Sequence, residues 1–226
     1  MKIIAINWKN WAEKDLITQI CTSLPEKNIT WFLPLTHLAY ANEFKTNFNL
    51  GSQNTFIHHN KTITGEINKP LLDDVGVTSI LVNHSERDLF FHEGKRLKKI
   101  LESLNNTEFD LFICVGEAKK NTFNDMFSQL DIINEFLKSG LNCKIVIAYE
   151  PRWAIGTGFA ATPSYVSRAI HEIKKYLVSA SCVIYGGSVS SDNAYELLCI
   201  CDGLLIGSAS RELKQLKEII ECTKFF

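Results

Sequence analysis

The most informative stretch for chemistry runs Ala148-Tyr149-Glu150-Pro151-Arg152-Trp153-Ala154-Ile155-Gly156-Thr157-Gly158-Phe159-Ala160-Ala161-Thr162-Pro163. It follows Lys144-Ile-Val-Ile147, an apolar, β-branched run with the composition of a buried parallel strand. Where that strand should end, the first charged group is the Glu150 carboxylate, with Pro151 directly behind it. Next come Trp153, the glycines at 156 and 158, and Thr162-Pro163 opening a helical pattern. A carboxylate at a strand end, an aromatic-anchored loop with two glycines and a proline-started helix describe a catalytic base with a lid. Apolar and aromatic neighbours desolvate Glu150, which raises a carboxyl pKa and makes a better base near neutrality. The plainer alternative is a strand-capping or salt-bridged Glu, and the lid pattern behind it favours the base.

His84 opens His-Ser-Glu-Arg after the apolar Ile80-Leu-Val. A helical turn starting at Ser85 would point its positive end at the ring and favour the neutral imidazole, which can donate to a carbonyl or enediolate oxygen. A lone His is as readily structural; pairing with Glu150 is what recommends this one. The other histidines, His37, His58, His59, His92 and His171, fall in helical or loop patterns and are left without a role. Lys9 comes two residues after Asn7, directly behind the first strand, where a lysine can hold a phosphate and stabilise developing negative charge. Two Gly-rich segments, Tyr185-Gly-Gly-Ser-Val189 and Asp202-Gly-Leu-Leu-Ile-Gly-Ser-Ala-Ser210, each follow a strand pattern and lead into a helical one. Backbone N–H groups at such turns form anion sites, and two turns in succession point to a phosphate. These parts serve proton transfer next to the carbonyl of a small phosphorylated substrate. No signature of a metal or redox cofactor accompanies them.

Positioning these residues takes a scaffold, and the chain alternates strand and helix patterns throughout. Strands are expected at 2–7, 30–34, 49–53, 79–83, 111–115, 144–149, 182–185 and 203–206. Amphipathic helical stretches such as 16–24, 97–104, 123–137 and 165–178 lie between them. Eight such units predict a parallel sheet closed into a (β/α)8 TIM barrel in a single domain over residues 1–226, with the site at the carboxyl ends of the strands. Polar residues and glycines collect at those ends: Asn7 and Lys9, Asn83 and His84, Gly116 and Glu117, Glu150, Gly186-Gly-Ser188, and Gly207-Ser208. No Gly-x-Gly-x-x-Gly follows the first strand, which argues against a dinucleotide fold.

The chain has 226 residues, 46% of them hydrophobic, enough for one substantial core. Its net charge of −1, with basic residues scattered, gives no support to binding of nucleic acid or a membrane surface. Apolar runs are too short for a membrane span or a secretory signal, so a cytoplasmic protein is expected. The seven cysteines lack CxxC spacing and read as reduced, mostly buried small residues.

Eight motifs, in order, carry a family likeness: Asn7-Trp-Lys9, Thr64-Gly-Glu66, His84-Ser-Glu-Arg87, Cys114-Val-Gly-Glu117, Ala148-Tyr-Glu-Pro151, Trp153-Ala-Ile-Gly-Thr-Gly158, Tyr185-Gly-Gly-Ser-Val189 and Asp202-Gly203. On them the chain resembles the triosephosphate isomerase family from end to end. The resemblance implies interconversion of dihydroxyacetone phosphate and glyceraldehyde 3-phosphate, in glycolysis and gluconeogenesis, without a cofactor. It implies that Glu150 abstracts the proton and His84 is the electrophile, that Asn7 and Lys9 contact substrate, and that Glu86 supports the site. It further implies that N–H groups near Gly156, Ser188, Gly207 and Ser208 hold the phosphate, that Pro151–Thr162 closes as a lid, and that Thr55–Glu66 docks into a second copy to make a homodimer. Departures from the family pattern are Asn83 for Gly, Asp88 for Arg, Arg152 for Val, Phe159 for Lys and Ser208 for Gly. A left-handed backbone at Ser208 would cost on the order of 1–2 kcal/mol. Asp88, a charge reversal, is expected to remove an ion pair. Rival readings are an isomerase of another short sugar phosphate, such as a four-carbon ketose phosphate, and a barrel kept as a non-catalytic interaction protein.

Overall fold

Eight short runs of β-branched and aromatic residues become strands, and their pairing closes into a ring. In the computed structural model, which describes residues 1–24, 28–44, 48–56, 62–91, 93–105, 107–138, 144–177 and 182–226, the strands are β1 (Ile3–Asn7), β2 (Ile29–Leu33), β3 (Asn49–Ser52), β4 (Val77–Val82), β5 (Asp110–Val115), β6 (Ile145–Tyr149), β7 (Val183–Gly186) and β8 (Gly203–Ile206). Every neighbouring pair is parallel, and β8 returns to β1, Ile4 opposite Leu204, closing the barrel. The expected (β/α)8 barrel is therefore the observed fold, with strand bounds displaced by at most two residues from those the sequence suggests.

Along each strand, side chains alternate between the barrel axis and the helical layer. Ala5, Phe32, Leu81, Phe112, Cys114, Val146, Ala148, Ile184 and Leu205 form the inner cluster. Phe32 and Phe112 meet edge to face at 5.1 Å and fill the centre. Gly51 on β3 is what makes room for them: a Cβ there would lie 2.3 Å from the Phe32 ring.

Outward-facing residues such as Ile4, Ile6, Trp31 and Leu33 pack against the helices. These are α1 (Lys14–Ser23), α2 (Leu35–Asn42), α3 (Lys69–Asp74), α4 (Ser85–Phe91), α5 (Leu97–Leu104), α6 (Asn124–Leu137), α7 (Pro163–Tyr176), α8 (Ser191–Ile200) and α9 (Leu213–Cys222). In α5 the apolar residues Leu97, Ile100, Leu101 and Leu104 recur three and four apart and are all buried, so one stripe faces the barrel. Pro163 starts α7, and the Asn193 side chain caps α8 by accepting from the Ser190 N–H at 3.0 Å.

The cysteines depart from expectation. Of the six described, only Cys114 and Cys201 are buried; Cys21, Cys182 and Cys222 are partly exposed and Cys199 is exposed. Cys21, Cys199 and Cys222 lie on outer helices, where the helical period turns them away from the barrel. Cys143, His58, His59 and His92 lie outside the described residues. No helix among the described residues is long and apolar enough to cross a membrane.

Candidate active site

Glu150 directly follows β6 and His84 follows β4 by two residues, so the barrel brings them face to face although they lie 66 residues apart in sequence. Glu150 Oε2 lies 3.5 Å from His84 Nε2, and both side chains are only 6% exposed. The backbone around Glu150 is fixed, since its N–H donates to the Val115 carbonyl at 2.8 Å. Gly186 on β7 leaves the space its side chain occupies: a Cβ there would come within 2.8 Å of Glu150 Cγ.

The ionisation of this pair differs from what the sequence suggests. Burial alone would raise the Glu150 carboxyl, but His84, with smaller contributions from Cys114 and then Lys9, outweighs it and holds Glu150 below its ordinary value of 4.5. Burial would lower the His84 imidazole, but the facing Glu150 carboxylate and then Glu86 hold it above 6.5. The expected helix start is present: α4 begins at Ser85, and the Glu86 N–H points at His84 Nδ1 from 3.3 Å. That geometry assigns the Nε2 proton to the side facing Glu150. The carboxylate at Nε2 outweighs the helix end, so both pKa directions are the reverse of those the sequence suggests.

Asn83 carries the turn that delivers His84. Its φ is +61°, a left-handed backbone that suits Gly and that Asn tolerates best among other residues. Its Nδ2 donates to the Cys114 carbonyl at 2.9 Å, which ties the end of β4 to β5. Lys9 is also left-handed, at φ +50°; its N–H donates to Asn7 Oδ1 at 3.0 Å and its Nζ is ion-paired with Glu86. Ser208 is not left-handed, so the strain considered for it does not arise. It opens a short 3-10 turn, Ser208–Arg211.

One cavity of about 530 Å³ gathers Asn7, Lys9, His84 and Glu150 with Gly156, Ser188, Gly207 and Ser208. Glu86 is not on its wall. It borders a second recess of about 410 Å³, shared with Asn7, Lys9 and His84. The main cavity is also lined by Trp11 and Arg211, which the sequence did not single out; the Arg211 guanidinium stacks over the Trp11 ring at 4.3 Å. Among the described residues no three His, Cys, Asp or Glu side chains are grouped to hold a metal ion.

The segment Pro151–Thr162 lies down on the β7 turn. Gly158 N–H donates to Ser188 Oγ at 3.1 Å, Ser188 Oγ donates to the Ala154 carbonyl at 2.9 Å, and Ala161 N–H donates to Tyr185 Oη at 3.0 Å. Its first turn, Arg152–Ala154, is anchored on Glu117, a residue placed by the sequence at the mouth but given no task. Glu117 is fully buried and accepts from Trp153 Nε1 at 2.9 Å, Tyr165 Oη at 2.8 Å and Tyr149 Oη at 3.1 Å. Burial, then Glu117, pushes the Tyr149 phenol far above its usual range and keeps it a donor. Two of the departures noted above meet here: Arg152 Nη1 and Asp88 Oδ2 form an ion pair at 3.0 Å. The charge reversal at residue 88 thus forms a pair. Of the proposed docking loop, residues 57–61 lie outside the described residues, while 62–66 are exposed.

Comparison with known proteins agrees with this geometry. The triosephosphate isomerase family profile matches residues 2–223. A triosephosphate isomerase of Buchnera aphidicola subsp. Cinara cedri is 34% identical, the match covering 98% of each chain. That of Mycoplasma mobile is 34% identical over 97% of this chain and 99% of its own. That of onion yellows phytoplasma is 34% identical over 92% of this chain and 85% of its own. With a closed eightfold barrel, a buried Glu–His pair and a match along nearly its whole length, this chain belongs to the triosephosphate isomerase family.

Proposed function

We propose that the protein interconverts dihydroxyacetone phosphate and D-glyceraldehyde 3-phosphate by proton transfer through an enediolate. The observation that carries this is the 3.5 Å approach of Glu150 to His84 in the same cavity as Lys9 and the β7 and β8 turns. The Glu150 carboxylate takes a proton from the carbon next to the substrate carbonyl, and the electron pair moves onto the carbonyl oxygen. His84 Nε2–H donates to that oxygen, and Lys9 offsets its charge. Substrate entering between the two side chains removes the carboxylate from Nε2, which returns the ring to a neutral donor. His84 passes its Nε2 proton to that oxygen and takes the proton of the neighbouring hydroxyl in exchange, and Glu150 delivers its proton to the neighbouring carbon, so no net proton is gained or lost. Asn7 holds Lys9 in place and Glu86 orients its ammonium. Backbone N–H groups at Gly156, Ser188, Gly207 and Ser208 take the phosphate, and Pro151–Thr162 excludes water while the enediolate exists.

Two further elements belong to this reading. The exposed residues 62–66 and the recess beside Lys9 suit the docking of the Thr55–Glu66 segment of one copy of the chain into another in a homodimer. Residues 1–226 act as one domain, and glycolysis places it in the cytoplasm.

The test is isomerisation of glyceraldehyde 3-phosphate by the purified protein, coupled to NADH-dependent reduction of the dihydroxyacetone phosphate formed. A kcat/KM of about 10⁷–10⁸ M⁻¹s⁻¹ is expected, close to the diffusional ceiling. Glu150→Gln should lower kcat by about 10²–10⁴-fold while 2-phosphoglycolate still binds. Near-parental turnover in that variant would remove Glu150 as the base.

A further inference from the structure

We propose that the Arg152–Asp88 ion pair is a latch that holds the lid in its seated position by locking the first hinge. The inference deepens the reading of residues 151–162 as the lid of the isomerase site and rests on it.

Arg152 is where the chain leaves the β5–β6 ladder. Its N–H still donates to the Glu117 carbonyl, at 3.0 Å, and from it starts the turn that carries Ala154 to Ser188. Its guanidinium crosses to α4 and meets Asp88 at 3.0 Å. Asp88 is a fixed post: its other oxygen accepts the Gly94 N–H at 2.8 Å, so the carboxylate is held from both ends. The two side chains are 29% and 22% exposed, which leaves the pair only partly screened. The far end of the lid is seated separately, by the Gly158 and Ala161 N–H groups. Lifting the lid requires new backbone dihedrals in the Arg152–Ala154 turn. That rotation swings the Arg152 side chain off α4, so only the seated lid keeps the pair. α4 is also the helix that His84 leads into and that carries Glu86, so the latch ties the lid to the element beside the electrophile.

Hydrogen exchange reads this without substrate, because the Gly158 and Ala161 amides are protected only while the lid is down. Exchange is followed by NMR in the protein without substrate, its Arg152→Val and Asp88→Asn variants, and the double variant. Each single variant should speed exchange at both amides by about three- to tenfold, the range for a partly exposed ion pair that also loses a charged hydrogen bond. The double variant should add nothing further beyond the larger single effect. The Ile113 amide in β5 serves as the folding control and should not change. Unchanged exchange at Gly158 and Ala161, or single effects that multiply in the double variant, would overturn the latch. Isomerase activity is assayed separately. A parent protein without that activity whose variants still show the shift would sink the proposed reaction and leave the latch.

Discussion

Gly186→Ala moves the base without removing it. The new Cβ would sit 2.8 Å from Glu150 Cγ, 3.1 Å from Cδ and 3.2 Å from Oε2, whereas ordinary contact begins at 3.4 Å. Gly186 is not in the left-handed region, so the substitution brings contact without backbone strain. The neighbours of Glu150 leave one direction of escape. Its backbone is tied to Val115 and packs on Gly116 so closely that a Cβ there would lie 2.0 Å from the Glu150 carbonyl oxygen. The Glu150 side chain must therefore retreat by about 0.6 Å at Cγ, and by roughly 1 Å at the carboxylate once the shift propagates along the chain. A displacement of that size costs about 10²-fold when the reacting atoms must be aligned. The coupled isomerase assay should show kcat lower by about 10–100-fold, with the dissociation constant of 2-phosphoglycolate within about threefold of the parent, because the residues whose N–H groups take the phosphate, Ser188, Gly207 and Ser208, are not substituted. A folded variant with parental kcat would refute the assignment of Glu150 as a geometrically constrained base. A variant that loses analogue binding and turnover together would show that Gly186 acts on the phosphate turn instead.

The Glu150–His84 pair, counted once, fixes the sign of one pH effect. A carboxyl held below 4.5 in the fold stabilises it above 4.5 and loses that as pH falls through the lowered value. An imidazole held above 6.5 stabilises the fold fully below 6.5 and loses that as pH rises through the raised value. The stability advantage of the ligand-free parent over Glu150→Gln should therefore peak between those values and narrow on both sides, as urea midpoints from about pH 3 to pH 9 would show. An advantage that keeps growing above about pH 8 would contradict the assigned shifts. Replacing Glu117 by Leu leaves the Tyr149, Tyr165 and Trp153 donors without their acceptor. It should lower stability by about 3–6 kcal/mol and weaken protection of the lid amides, while Glu117→Gln should cost less than half as much. Equal losses in the two variants, measured by urea unfolding, would mean that packing rather than hydrogen bonding matters at residue 117.

The barrel was legible because each strand is a short apolar run ended by polar residues or glycine, and the alternation with amphipathic stretches left one economical closure. The gathering of Glu150, His84, Lys9 and the β7 and β8 turns around one cavity was legible for the same reason, since each stands at a strand end and the fold turns strand ends to one face. What sequence could not supply was partnership between distant positions. Asp88 and Arg152 each look like an isolated departure, and only the barrel brings β4 and β6 close enough for them to pair. Glu117 looks like one more strand-end carboxylate until three aromatic donors from β6, the lid and α7 converge on it. The desolvation of Glu150 could be read from its apolar flanks, but not the imidazole at 3.5 Å that outweighs it. Arg211 and Trp11 carried no motif, because their place on the cavity wall comes from the packing of the β8 turn against the β1 loop.

Phe32 and Phe112 fill the barrel centre, with Leu81 and Leu205 above them on the walls of the recess and the main cavity. Among the described residues the interior is therefore a cul-de-sac whose doorway lies at the carboxyl ends of the strands. Reactant and product share that doorway, and a spent molecule has to back out before a fresh one can enter. With Pro151–Thr162 as the proposed lid, traffic through the enzyme is capped by how often that segment stands open, however quick the proton transfers become. On a dead-end plan, speeding the chemistry gains nothing beyond that cap, and any change that shifts the lid's opening frequency acts directly on throughput.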